Sequence, residues 1–207
     1  MIITFDGTSG SGKGTIASSI AKSLNFAYLD TGKLYRAFAY LVLSQDLLKS
    51  FEDNAKCIAE QIDPELLNLE CLYSEEVAAI ASKIAKLSNV RSSLIDMQRS
   101  FVKNNKNVVL DGRDTGSVIC PNADCKFYID AKVEVRAERR LAQLKEKGIS
   151  EKGLADILSD LQQRDLNDKN RKIAPLIVPF GAVEIDNTNV SKEEVIKKIL
   201  ELIDIKQ

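Results

Sequence analysis

The chain has 207 residues, a formal net charge of −1 from 29 basic and 30 acidic side chains, and no histidine. That length suits one domain carrying a small insert, and a chain of this size hides roughly 70% of its unfolded surface. Balanced charge sets up no field toward nucleic acid or membrane, and the missing imidazole excludes Ser-His-Asp hydrolysis and every other histidine mechanism.

The N-terminus enters a strand at once, "IITF" (2–5), with no basic region or cleavage site of a signal peptide. No run approaches the ~18 apolar residues of a membrane span, so a cytoplasmic protein is expected. "FAYL" (26–29), "VVL" (108–110), "KFYI" (126–129) and "AVEI" (182–185) read as four more strands. Helical periods fill 13–24, 32–48, 53–62, 74–86, 89–103, 132–147, 151–168 and 191–204. Strand and helix in alternation mean α/β: a parallel sheet covered on both faces, a three-layer sandwich. The stretch 49–90 breaks that rhythm. It reads as an insert, two helical segments flanking a possible strand at "LLNLECL" (66–72).

"GTSGSGKGT" (7–15) follows the first strand and opens the first helix. In that setting G-x-x-x-x-G-K is a phosphate-binding loop. Gly7, Gly10 and Gly12 let successive N–H groups converge on one anion, the helix start adds its positive end, and Lys13 supplies a point charge. Thr8, Ser9, Ser11, Gly14 and Thr15 complete the loop. Gly14 stands where most such loops carry a magnesium-binding Ser or Thr; Thr15 comes one place later. Any Mg²⁺ accompanying a bound nucleoside triphosphate is therefore expected to be held largely through water, near Thr15 and Asp111. Asp111 ends an apolar strand and is read either as a Walker-B carboxylate or as a cap for the next turn.

A regulatory GTPase would need D-x-x-G and N-K-x-D, and neither occurs. Arginine is the scarcer cation, 9 against 20 Lys, so its positions are the ones expected to need a planar fork. Arg36 follows the second strand in "LDTGKLYR" (29–36), and Arg113 with Asp114 follows the third in "LDGRDTGS" (110–117). In open α/β sheets that carboxyl edge is where ligands bind. Arg164, Asp168 and Arg171 in "QRDLNDKNR" (163–171) would share one helix face, either closing over an anion or pairing with each other. The cysteines (57, 71, 120, 125) fit no zinc spacing and read as reduced structural thiols.

Together, "GTSGSGKGT", "LDTGKLYR", "DGRDTG" and "RDLNDKNR" followed by "APL" resemble bacterial cytidylate kinases over almost the whole chain. "GKGT" alone says only nucleoside monophosphate kinase; the other three stretches point to the cytidylate branch. The resemblance implies one P-loop kinase domain over 1–207, a monophosphate-binding region at 31–104 with a shortened insert (about 49–90), and a mobile lid at 148–170. It implies that Gly7 to Thr15 hold ATP, with Arg139 or Arg140 against adenine. Thr31, Tyr35 and Arg36 would line the monophosphate site, and Ser82, Arg91 and Asp114 would meet the cytosine ring. Arg113 and Arg171 would contact the acceptor phosphate, Arg164 and Asp168 the ribose. It also implies ATP with Mg²⁺, CMP or dCMP as acceptor, and a monomer without nucleic-acid or membrane partners. Lys13, Arg36, Arg113, Arg164 and Arg171 would then be the catalytic cations. The rival expectations are a kinase for another small acceptor, such as UMP, AMP or a sugar, and a nucleotide-binding regulator without turnover.

Overall fold

A computed structural model describes residues 1–146 and 153–205. The chain divides into two compact units, Met1–Tyr28 with Asn107–Gln207, and Leu29–Lys106. Five strands form one sheet: β1 (Ile2–Gly7), β2 (Ala27–Asp30), β3 (Val108–Asp111), β4 (Cys125–Asp130) and β5 (Val183–Asp186), in the order β2-β3-β1-β4-β5. β1 pairs in parallel with β3 and β4, and β4 pairs in parallel with β5. All five lie where the apolar runs place them.

β1 is the central strand, paired on both sides and buried on both faces. Side chains alternate across a pleated strand. Ile3 and Phe5 face α1 (Lys13–Leu24) and α8 (Lys192–Asp204), packing with Ile16, Ile20, Val109, Ile129, Val195 and Ile199. The Phe5 and Phe127 rings stack at 5.2 Å. Burying each large apolar side chain contributes about 1.5–3 kcal/mol. The opposite face of β1 carries Thr4 and Asp6, both fully buried. A smaller core of Ala137, Leu144, Ile157 and Leu161 joins α6 (Val133–Glu146) to α7 (Leu154–Asn170).

The second unit is helical. α2 (Thr31–Ser44) packs on α4 (Glu75–Ile84), and α3 (Ala55–Ala59) packs on α5 (Ser88–Asn104). Asp30 caps α2 by accepting from the Lys33 amide at 3.2 Å, and Ser74 caps α4 by accepting from Val77 at 3.3 Å.

The insert departs from expectation in two respects. "LLNLECL" forms no strand but two 3₁₀ turns, Leu66–Asn68 and Glu70–Tyr73. Local bonds decide it: Asp63 Oδ1 accepts from the Leu66 amide at 2.7 Å, and Leu69, extended at φ −68° and ψ 130°, separates the two turns. Leu72 is fully buried while Leu69 is exposed. The helix expected at 53–62 is also shorter, Ala55–Ala59. Of the expected lid, 148–152 lies outside the described residues, and 154–170 is helix α7. Among the described residues no helix is long and apolar enough to cross a membrane.

Candidate active site

The loop Gly7–Thr15 leaves the carboxyl end of the central strand and enters α1 at Lys13. Its glycines are needed where they stand. Gly7 (φ 150°) passes so close to β4 that a Cβ would lie 1.9 Å from the Ile129 carbonyl oxygen. Gly10 and Gly12 adopt φ 77° and 83°, left-handed angles that other residues enter at a cost. Thr8, Ser9 and Ser11 are buried. Thr8 Oγ1 donates to Asp130 Oδ1 at 2.5 Å, and Ser11 Oγ donates to the Thr8 carbonyl at 3.1 Å. These bonds turn the hydroxyls into the frame of the loop.

Lys13 Nζ lies 3.3 Å from Asp111 Oδ1 at the end of β3. Tyr28 Oη is 3.4 Å from the Gly14 carbonyl and 3.5 Å from Asp111 Oδ2. A Cβ on Gly14 would sit 2.8 Å from that same Oδ2. Asp111 thus lies against the phosphate loop at Lys13 and Gly14. Thr15 is exposed on the first turn of α1.

Beyond β3, Arg113 Nε donates to Asp168 Oδ2 at 3.0 Å. α7 ends at Asn170, and Arg171 leaves it in extended conformation, φ −65° and ψ 140°. Its guanidinium lies 3.6 Å from Asp114 Oδ1 and 3.8 Å from Asp168 Oδ1, and its Nε donates to the Ala174 carbonyl. Arg113, Asp114, Asp168 and Arg171 are therefore one cluster, with Asp114 buried. Arg164 lies one turn before Asp168 on α7 and is exposed.

Asp6 holds the turn that carries this cluster. Its carboxylate accepts from the Thr115 amide at 2.8 Å, Thr115 Oγ1 at 2.9 Å and the Gly116 amide at 2.7 Å. Burial pushes the Asp6 carboxyl up to about 6, against the lowering by those bonds, and the neighbouring Asp114 charge adds to the rise.

In the second unit, Thr31 is buried at the start of α2, and Ser82 lies half-buried on α4. Arg91, 2% exposed, donates to the Ala85 carbonyl at 3.2 Å and lies 5.6 Å over the Tyr35 ring. Arg36 donates to the Leu72 carbonyl at 3.0 Å and lies 5.5 Å over the Tyr73 ring. The insert thus reaches back to α2 through two adjacent residues.

The family model for cytidylate kinase matches residues 3–205. The chain belongs to the cytidylate kinase family. It is 43% identical over 192 residues to the cytidylate kinase of Bartonella tribocorum, covering 93% of this chain and 89% of that one. It is 38% identical over 207 residues to the cytidylate kinase of Rhodospirillum rubrum, covering 98% and 97%. Among solved structures, a shikimate kinase from Bacteroides thetaiotaomicron superposes with a TM-score of 0.52 at 14% identity, over 99% of this chain and 98% of that one. That likeness speaks to the P-loop α/β fold alone.

Several residues bonded to the phosphate loop escaped the sequence reading. Arg136 and Asp165 form a buried pair at 2.6 Å that also bonds both backbone groups of Ser9. Asn187 Nδ2 donates to the Ser11 carbonyl at 2.7 Å, while Arg139 donates to Asn187 Oδ1 at 3.0 Å and to its carbonyl at 2.8 Å. Arg140 instead donates to Gln143 Oε1 at 2.7 Å. A signal for Arg136 was present: it is one of the scarce arginines, one helical turn before Arg139 and Arg140.

Proposed function

We propose that this chain transfers the γ-phosphoryl group of ATP to the 5′-phosphate of CMP or dCMP, giving ADP and CDP or dCDP. The observation that carries this reading is the arginine cluster at the end of β3, the strand beside β1, whose own end bears the phosphate loop. Two planar forks, Arg113 and Arg171, suit a second phosphate group next to a triphosphate site. Family membership narrows that second phosphate to a cytidine nucleotide.

The acceptor is an ionised phosphate oxygen and needs no general base, which agrees with a histidine-free chain. That oxygen attacks the γ-phosphorus while the bond to the β,γ-bridging oxygen breaks, and the electron pair leaves with ADP. The work left to the protein is positioning and charge neutralisation. Lys13 is the cation for the terminal phosphates of ATP; Arg113 and Arg171 hold the acceptor phosphate, with Arg36 assigned to it by the resemblance. Asp168 and Asp114 keep the Arg113 and Arg171 forks oriented. Arg164 and Asp168 are assigned to the ribose, and Thr31, Tyr35, Ser82, Arg91 and Asp114 to the monophosphate and cytosine. Of the two arginines we assign Arg139 to adenine, since it is tied through Asn187 to the phosphate loop.

Mg²⁺ fits the residues present. Gly14 offers no hydroxyl, and the Asp111 carboxylate occupies the space a side chain there would need, so Asp111 and Thr15 would hold the ion through water. Bound with ATP, it would supply further neutralisation of the charge on the transferring group. The reading includes a cytoplasmic monomer acting on small molecules, with neither nucleic acid nor membrane as partner. ATP consumption measured with CMP, dCMP, UMP, AMP and no acceptor tests it. Turnover should depend on a cytidine acceptor; equal consumption without any acceptor would defeat the reading.

A further inference from the structure

We propose that Asp165 and Arg136 are positioning residues of the ATP site, through which α7 sets the shape of the phosphate loop. The inference rests on the reading of Gly7–Thr15 as the ATP loop.

Ser9 lies between Gly7 and Gly10, whose missing Cβ atoms leave the peptide planes there free to turn. Both backbone groups of Ser9 are nevertheless fixed. Its amide donates to Asp165 Oδ1 at 3.1 Å, and its carbonyl accepts from Arg136 Nη1 at 2.8 Å. The same nitrogen pairs with Asp165 Oδ2 at 2.6 Å, and Arg136 Nε donates to the Ala131 carbonyl at 2.8 Å, just after β4. Ser9, Arg136 and Asp165 are 5%, 5% and 7% exposed. The packing is direct: a Cβ on Gly10 would lie 3.5 Å from Arg136 Cβ and 3.6 Å from Leu161 Cδ2.

A buried ion pair is a poor way to gain stability, since an apolar pair of similar size often does as well or better. What an apolar pair cannot do is hold an amide and a carbonyl of the loop at once. Charge points the same way. A lone carboxylate beside a triphosphate site would repel the ligand, and Arg136 cancels it at 2.6 Å. One turn further along α7, Asp168 holds Arg113 and lies 3.8 Å from Arg171. α7 thus braces the donor loop and the arginine cluster at successive turns.

The test uses the full chain at a temperature where every variant is folded by circular dichroism. ATP affinity is titrated directly, without acceptor, and steady-state constants are measured with CMP. Asp165→Asn should raise the ATP Kd roughly 10- to 100-fold, the range of one hydrogen bond to a charged group. The KM for CMP should stay within about twofold, since the group acts through the donor loop. The second arm is the double variant Asp165→Leu with Arg136→Met, which replaces the pair by apolar bulk. It should recover thermal stability relative to Asp165→Asn and still bind ATP weakly. Recovery of ATP affinity together with stability would make the pair merely structural and overturn the inference, as would wild-type ATP affinity in Asp165→Asn. A wild-type protein that bound no ATP would overturn the reading of the loop and this inference with it.

Discussion

Asp111 stands where a side chain on Gly14 would have to go. Its Oδ2 is 2.8 Å from the place of a Gly14 Cβ, while its Oδ1 is 3.3 Å from Lys13 Nζ. Installing the hydroxyl common in other phosphate loops should therefore harm this one. Gly14→Ser must push the carboxylate aside and with it the partner of Lys13. We expect a loss of about 1–3 kcal/mol in stability from overpacking. The fall in kcat should reach about a hundredfold, the scale of a 1 Å misplacement of a catalytic group. Denaturant unfolding and steady-state kinetics check both; a variant with raised kcat would show that the carboxylate yields freely.

Lys13→Ala should lower kcat by about 10²–10³, because Lys13 acts on charge that develops during transfer. The fold should persist, since the apolar core around Ile16 and Ile20 does not involve the Lys13 ammonium. Turnover near wild type with CMP would remove Lys13 from the mechanism.

Asp114 is the residue we propose for cytosine recognition. Cytosine presents an amino donor where uracil presents a carbonyl, so a facing carboxylate favours CMP by roughly 1–3 kcal/mol. Asp114→Asn should accordingly lose more kcat/KM with CMP than with UMP. An unchanged ratio would assign Asp114 to bracing Arg171, 3.6 Å away.

Asp6 gives a pH signature. Its carboxyl is raised from the ordinary 3.8 to about 6 in the fold. Between those values the folded state holds a proton that the unfolded state has lost, so the Asp6 contribution to stability falls as pH rises. It is fully present below about pH 4, lost through pH 6, and constant above about pH 7. The unfolding free energy of wild type minus that of Asp6→Asn should decline across that window. A difference that grows with pH would contradict the raised carboxyl.

The five strands and the phosphate loop were legible because each is written in contiguous residues: apolar runs of four or so, and glycines at fixed spacing. "LLNLECL" reads as a strand from its hydrophobic content, while the bond from the Leu66 amide to Asp63 that starts its turns lies outside that content. The positions of Arg113, Asp168 and Arg171 were legible as scarce arginines and a helical spacing, but their pairing was not, since Arg113 and Asp168 are 55 residues apart. The brace under Ser9 is further from reach. Ser9 and Asp165 are separated by 156 residues, and nothing in "QRDLND" marks one aspartate as buried and the next as a partner of arginines. Periodicity assigns a face to a residue; only the folded chain assigns it a contact.

The most direct test of the account is the fate of the transferred atom. With ATP labelled at the γ-phosphate and CMP in excess, the label should appear in the β-phosphate of CDP, one per ADP formed. Release of the label chiefly as inorganic phosphate, or its transfer to AMP or a sugar in preference to CMP, would contradict it.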